Sequence, residues 1–187
     1  MNVISLKIPD VKLIEPEIFV DDRGFFYESF NQNKFNKYVD ISENFVQDNH
    51  SKSKKGVLRG LHYQKYPYEQ GKLVKVIKGE IFDVAVDIRK KSQTYGKYVH
   101  QILSEKNRKQ LWIPKGFAHG FLTLSEEAEI IYKTTSFYNE NSEITLAYDD
   151  PELKIKWPTI KKISLSKKDK KGILFSSFKF KDNIINV

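Results

Sequence analysis

The chain has 187 residues, 40% of them hydrophobic and 13% aromatic, with 9 Gly, 6 Pro and no Cys. That length suits one compact domain and is short for two. No apolar run approaches the ~20 residues of a spanning helix, and a chain without cysteine has no disulfide, thiolate nucleophile or sulfur-ligated zinc.

Lysine and arginine outnumber aspartate and glutamate by 32 to 24, a net charge of +8. This balance admits nucleic acid, anionic membrane or phosphorylated small molecules as partners. Much of the excess lies in Lys161, Lys162, Lys167, Lys168, Lys170 and Lys171. Such a run reads as a solvated face. It lacks the aromatic interleaving of single-strand binders and any helix-turn-helix or zinc-finger spacing, which argues against nucleic acid. The start, MNVISLKIPDVKLIEPE, meets a lysine, a proline and acids before any apolar stretch, so no secretory signal is expected. The expectation is a soluble, cytoplasmic domain over residues 1–187.

Strand signals dominate. In chain order, candidates lie at 11–20 and 24–30, followed by a helical stretch at 31–40 (NQNKFNKYVD) and strands at 45–52 and 56–64. Residues 71–88 read as a β-hairpin turning at Lys78-Gly79-Glu80, and its second arm, IFDVAVDI, alternates Phe82, Val84, Val86 and Ile88 with Asp83, Ala85 and Asp87. Further strands are expected at 97–104, 109–113, 117–124, 128–136 and 144–148, with a turn or two of helix near 166–171. Many short strands rich in Val, Ile, Phe and Tyr, with few helices, argue for a barrel or double-sheet jelly roll. Nothing is assigned to residues 176–187, and no repeat or linker marks a domain boundary. A barrel of this size can hold one small ligand, so the polar side chains on its apolar strands are the ones to explain.

VLRGLHYQ (57–64) carries Arg59 and His62. A histidine suits proton transfer near neutral pH, but a lone histidine on a strand is more often a core or rim side chain hydrogen-bonded to backbone. Strict alternation puts Arg59 on the opposite face from His62, unless Gly60 marks a bulge that re-aims its neighbours. His62-Tyr63-Gln64 has the form of a His-x-His metal pair with its second histidine replaced, and His119 of PKGFAHGF offers a further ligand. A filled transition-metal site takes three or more ligands, and neither His50 nor His100 has a partner motif, so the pattern argues against a metal. Tyr132 in EIIYKTT reads as packing or as a proton donor, and Lys72 at the head of KLVKV as solvent-facing. Ser166-x-x-Asp169 fits a capping box. Arg23 in VDDRGFFYE fits a turn paired to Asp21 or Asp22. No phosphate loop, nucleophile elbow or dinucleotide fingerprint is present.

As a set, VDDRGFFYESF (20–30), FVQDNHSKSKKGVLRGLHYQ (45–64), GKLVKVIKGEIFDVAVDIRKKSQTYGKY (71–98), IPKGFAHGF (113–121), IYKTTSFYNENSE (131–143), DDPELKIKWP (149–158) and SLSKKD (164–169) occur in an order that resembles the dTDP-4-dehydrorhamnose 3,5-epimerases, over residues 3–175. The resemblance implies a mainly β, cupin-type jelly-roll homodimer that needs no metal or organic cofactor and has no nucleic-acid or membrane partner. It also implies inversion of C3 and C5 of dTDP-4-keto-6-deoxy-D-glucose to give dTDP-4-keto-L-rhamnose. Carried over by motif, His62 is the general base, Asp169 its carboxylate partner and Tyr132 the general acid. Lys72 and Arg59 contact the sugar and the developing oxyanion, while His119, Gln47 and Asn49 line the sugar pocket. Arg23 and Glu28 reach the nucleotide across the dimer, Tyr138 stacks on thymine, and Glu143 and Lys168 are further binding candidates.

The chemistry agrees with the residue types. A ketone at C4 acidifies the hydrogens on C3 and C5, because either carbanion delocalises into an enolate. Inversion then takes a base on one face, an acid on the other and a positive group at the enolate oxygen. No electron leaves the substrate. Alternatives consistent with the same residues are an epimerase of C3 or C5 alone, a sugar-binding barrel without catalysis, and a metal-dependent isomerase or oxygenase of the same fold.

Overall fold

A computed structural model describes residues 1–40 and 42–182. Among the described residues thirteen strands are formed: β1 (Asn2–Ser5), β2 (Lys12–Glu15), β3 (Phe19–Asp21), β4 (Gly24–Phe26), β5 (Gln47–Lys54), β6 (Leu58–Gln64), β7 (Lys72–Lys78), β8 (Glu80–Asp87), β9 (Tyr98–Ser104), β10 (Gln110–Ile113), β11 (Phe117–Thr123), β12 (Glu127–Thr134) and β13 (Glu143–Thr145). The helices are α1 (Gln32–Tyr38) and α2 (Phe175–Asp182), with single 3-10 turns at Glu140–Ser142 and Asp169–Lys171. No helix among the described residues is long and apolar enough to cross a membrane.

Two antiparallel sheets make the expected jelly roll, one ordered β1-β2-β10-β7-β12-β5 and the other β13-β6-β11-β8-β9, while β3 and β4 form a separate ribbon. Val74, Val76, Ile81, Ala85, Leu111, Ile113, Phe117, Phe121, Ala128 and Ile130 meet between the sheets in one core cluster. The apolar row of β8 does not belong to it. Phe82, Val84, Val86 and Ile88 face out of the barrel with Leu58, Leu61 and Leu122, and are covered by Leu146, Leu153, Phe175 and Phe178 from the C-terminal segment. The interleaved residues, including Asp83, therefore point inward.

The segment 71–88 is not a hairpin. Its arms, β7 and β8, lie in different sheets. Each is already paired on both sides, β7 with β10 and β12 and β8 with β11 and β9, so neither has a free edge for the other. Gly79, at φ +75°, turns the corner between the sheets, and a Cβ there would sit 2.1 Å from the Glu127 carbonyl oxygen.

Helix α1 forms where expected. Asn31 caps it by accepting from the Lys34 N–H. Its Phe35 packs edge-on against Trp112 and Phe45, with ring centroids 5.0 and 4.9 Å apart. Three elements lie outside the expected set: the 3-10 turn at Glu140–Ser142, β1 and α2. β1 is mostly exposed and carries no period-2 apolar face, and α2 is pinned by Phe175 and Phe178, both 1% exposed. The lysines at 161, 162, 167, 168, 170 and 171 are exposed, as the sequence suggests.

Candidate active site

The site is built on a local irregularity of β6. His62 lies opposite His119 and Arg59 opposite Phe121, so the step from 59 to 62 faces a step of only two residues on β11. This extra residue is a β-bulge, and it resolves the parity conflict: Arg59 and His62 share the inner face. Gly60 makes it possible. Its φ is +120°, and a Cβ there would meet the Gly120 Cα at 2.5 Å and the His119 carbonyl oxygen at 2.6 Å. Gly60→Ala is accordingly expected to cost about 2–4 kcal/mol of stability, combining left-handed strain with overpacking. Urea denaturation checks it.

The other candidates arrive on the same inner faces by register. Gln47, Asn49, Ser51 and Ser53 of β5 sit opposite Thr134, Tyr132, Ile130 and Ala128 of β12. Tyr132 and Thr134 pair in turn with Val74 and Lys72 of β7. Tyr132 thus projects from one sheet and His62 from the other, into the space between.

His62 Nε2 lies 2.6 Å from Asp169 Oδ1, across 107 residues of sequence. The other carboxylate oxygen, Oδ2, accepts from Ser166 Oγ at 2.7 Å, and Ser166 Oγ accepts the Asp169 N–H at 3.0 Å. One carboxylate therefore serves both the turn and the imidazole, one oxygen each. Burial pushes the Asp169 carboxyl up, but the bonds from His62 and Ser166 outweigh it and hold the group below the usual carboxylate value. Burial lowers the His62 pKa, against the Asp169 hydrogen bond and with help from the Lys72 and Lys168 charges. The imidazole is thus neutral at pH 7, the form a base requires.

Lys72 is buried rather than solvent-facing, at 8% exposure. Its Nζ is 3.5 Å from the His62 carbonyl oxygen. Desolvation brings its pKa down to about 8, partly offset by Glu143 and Asp83. His119 faces both oxygens of the fully buried Asp83 at 3.0 Å. Arg59 donates to Ser53 Oγ at 3.0 Å and to the Lys52 carbonyl at 3.2 Å. Gln47 donates to Asn49 Oδ1 at 2.9 Å. Burial raises the Tyr132 phenol, with Arg59 lowering it and Glu143 raising it, so it keeps its proton at neutral pH.

At the rim, Tyr138 donates to Glu143 Oε2 at 2.8 Å, and Lys168 donates to both Glu143 oxygens at 2.7 and 2.8 Å. The bond to Glu143 pushes the Tyr138 phenol up to about 12.

Two candidates lie apart from this cluster within the chain. Arg23, at the tip of the β3–β4 ribbon, is 89% exposed and paired to Asp21. Glu28 is bound to Lys34 and Asn31. The two other histidines also lie elsewhere: His50 contacts Glu129 at 3.4 Å and His100 stacks on Phe82. Among the described residues, no three His, Cys, Asp or Glu side chains gather around a common point as a metal site would require. Asp83 and Ser166 join the site as the partners of His119 and Asp169. Asp83 left one trace, an acid inside the apolar run IFDVAVDI.

The family described as dTDP-4-dehydrorhamnose 3,5-epimerase matches residues 5–177. A protein of Shigella flexneri with that name is 57% identical over 175 residues, covering 94% of this chain and 96% of its own. The crystal structure of a dTDP-6-deoxy-D-glucose-3,5-epimerase from Legionella pneumophila, in complex with dTDP-4-keto-L-rhamnose, superposes with a TM-score of 0.91 at 52% identity, over 94% of this chain and 93% of that one. A 3'-monoepimerase from Streptomyces bikiniensis, solved with dTDP-quinovose, gives 0.88 at 28% identity, over 94% and 88% of the two chains. A family match over residues 5–177, together with identity above half along nearly the whole length, establishes that this chain belongs to the dTDP-4-dehydrorhamnose 3,5-epimerase family.

Proposed function

We propose that the protein inverts C3 and C5 of dTDP-4-keto-6-deoxy-D-glucose, yielding dTDP-4-keto-L-rhamnose in the cytoplasm. The observation that carries this reading is His62 on one sheet, held by Asp169 from the C-terminal turn, with Tyr132 on the inner face of the other sheet and the buried Lys72 beside them. His62 removes the proton α to the C4 ketone, and Asp169 holds the ring orientation and stabilises the imidazolium that forms. The electron pair moves into the C3–C4 or C4–C5 bond as the carbonyl oxygen becomes an enolate oxygen. Lys72 lies against that oxygen in a site where water is scarce, and there a fixed charge has its largest effect. Tyr132 then delivers a proton from the opposite face, which inverts the centre. Arg59, His119, Gln47 and Asn49 hold the sugar, and Tyr138 gives the base a stacking platform, with Glu143 and Lys168 fixing its hydroxyl end.

The proposal includes a homodimer. Phe19, Val20, Phe25 and Phe26 of the β3–β4 ribbon are 56%, 77%, 56% and 69% exposed, a concentration of apolar surface that suits a protein partner. Seated on a second copy, the ribbon would bring Arg23 and Glu28 to that copy's nucleotide, where a planar guanidinium matches pyrophosphate oxygens.

The deciding experiment is turnover of the dTDP-4-keto sugar in heavy water, followed by NMR. Deuterium is expected at both C3 and C5 of the product. Label at one carbon only would make the protein a single-site epimerase, as the Streptomyces bikiniensis relative is named.

The Lys72 ammonium gives the pH dependence a definite sign. Its proton leaves near pH 8 in the folded chain, against about 10.4 for a free lysine. Turnover is expected to fall above pH 8 as the charge at the oxyanion is lost. Stability moves the other way. Between pH 8 and about 10.4 the unfolded chain binds more protons at this position, so this group's contribution rises with pH. Lys72→Met is expected to remove the alkaline limb and to lower kcat about 10²–10³-fold. A pH–rate profile of both proteins checks it.

A further inference from the structure

Four consecutive residues of the β12–β13 loop are held by three glutamine side chains from three different places. Gln70, just before β7, donates to the Ser136 carbonyl at 2.9 Å. Gln64, in β6, donates to the Phe137 carbonyl at 3.2 Å and accepts the Asn139 N–H at 2.8 Å. Gln47, in β5, accepts the Tyr138 N–H at 3.0 Å. Gln64 also donates to the Tyr68 carbonyl at 2.6 Å, so its amide ties the β6–β7 loop to the β12–β13 loop. This side chain is only 4% exposed, and if its bonds break there is little water to replace them.

We propose that Gln64 is the positioning residue that sets nucleotide affinity, by fixing the backbone on which Tyr138 stands. The inference rests on the reading of Tyr138 as the base-stacking residue. Tyr138 is itself 53% exposed, so packing alone does not orient its ring. Orientation comes from the hydroxyl bond to Glu143 at one end and the glutamine-held backbone at the other. Only an amide fits the Gln64 position, since it must donate to two carbonyl oxygens and accept from one N–H. A glutamate would set a carboxylate against those carbonyls.

The test is a double-mutant cycle with Gln64→Met, Tyr138→Ala and the combined variant, each checked for folding by thermal melting. Its readouts are dTDP affinity by calorimetry and steady-state kinetics on the dTDP-4-keto sugar. Gln64→Met is expected to raise the dTDP Kd and the substrate KM about tenfold with kcat within about twofold, the split that marks lost ground-state binding. The combined variant is expected to bind dTDP within about twofold of Tyr138→Ala alone, because the two residues act as one unit. Gln70→Ala, which loosens the same loop from a half-buried position, is expected to raise Kd about threefold for one lost hydrogen bond. That variant decides the matter if Gln64→Met does not fold. Wild-type affinity in the folded Gln64→Met protein, additive losses in the cycle, or a fall in kcat at unchanged KM would each overturn the inference while Tyr138→Ala still weakened binding. Unaltered dTDP affinity in Tyr138→Ala would remove the stacking reading and the inference with it.

Discussion

His62→Asn is expected to lower turnover by about 10³–10⁴-fold, at the upper end of what a single acid–base group supplies, while dTDP affinity stays near that of the parent. The imidazole is the inward-facing group best suited to accept a carbon-bound proton at pH 7. Burial holds its pKa below the usual histidine value, and Asp169 fixes its orientation through a 2.6 Å contact. Asparagine keeps a polar group of similar reach but has no basic nitrogen. Heavy-water exchange is the sharper measurement, since a lost base stops deuterium entering either C3 or C5. Exchange persisting within tenfold of the parent would remove His62 from the role. Because the folded-state pKa is depressed, acid acts twice. Protonation removes the base, and it also places a charge where burial penalises it, so stability falls as pH drops below the ordinary histidine value.

Tyr132→Phe is expected to separate the two half-reactions. The phenol projects from the sheet facing His62, and burial keeps it protonated. Without its hydroxyl, the enolate can recover a proton only from the face that lost it. Inverted product is therefore expected to fall about 10²–10⁴-fold, while wash-in of deuterium with retained configuration continues. Chiral analysis of product beside label incorporation in recovered substrate checks both quantities together. Equal loss of exchange and inversion would contradict a division of labour between the two faces.

Local signals in the chain account for most strands. The apolar alternation, the glycine-containing turns and the Asn31 cap lie within a few residues of the elements they specify. Pairing does not have that locality. The run ending at Lys78 and the one starting at Glu80 look like neighbours because the turn between them is short, yet each is claimed on both sides by strands remote in sequence. α2 left a faint signal, two phenylalanines three apart at 175 and 178, whose burial depends on an outer sheet face that no local pattern announces. β1 left none. In the site, Gly60 was the legible clue, a strand glycine between two residues that alternation would separate. The roles of His62, Tyr132 and Lys72 came from motif resemblance, since a histidine, a tyrosine and a lysine on strands are ordinary in isolation. Asp83 is not legible as a site residue because its partner, His119, is 36 residues away, and only the inward turn of the β8 acids joins them.

The carboxylate that orients His62 is supplied almost last. Both sheets are complete by Thr145, whereas Asp169 reaches them on a C-terminal strap tied down by bridges from Val57 to Ser164 and from Leu146 to Ile173. The walls that carry His62 and Tyr132 and the carboxylate that orients the imidazole thus come from separate stretches of the chain. The exposed lysines around Asp169 therefore belong to the strap that carries the carboxylate, not to the sheets that carry His62 and Tyr132.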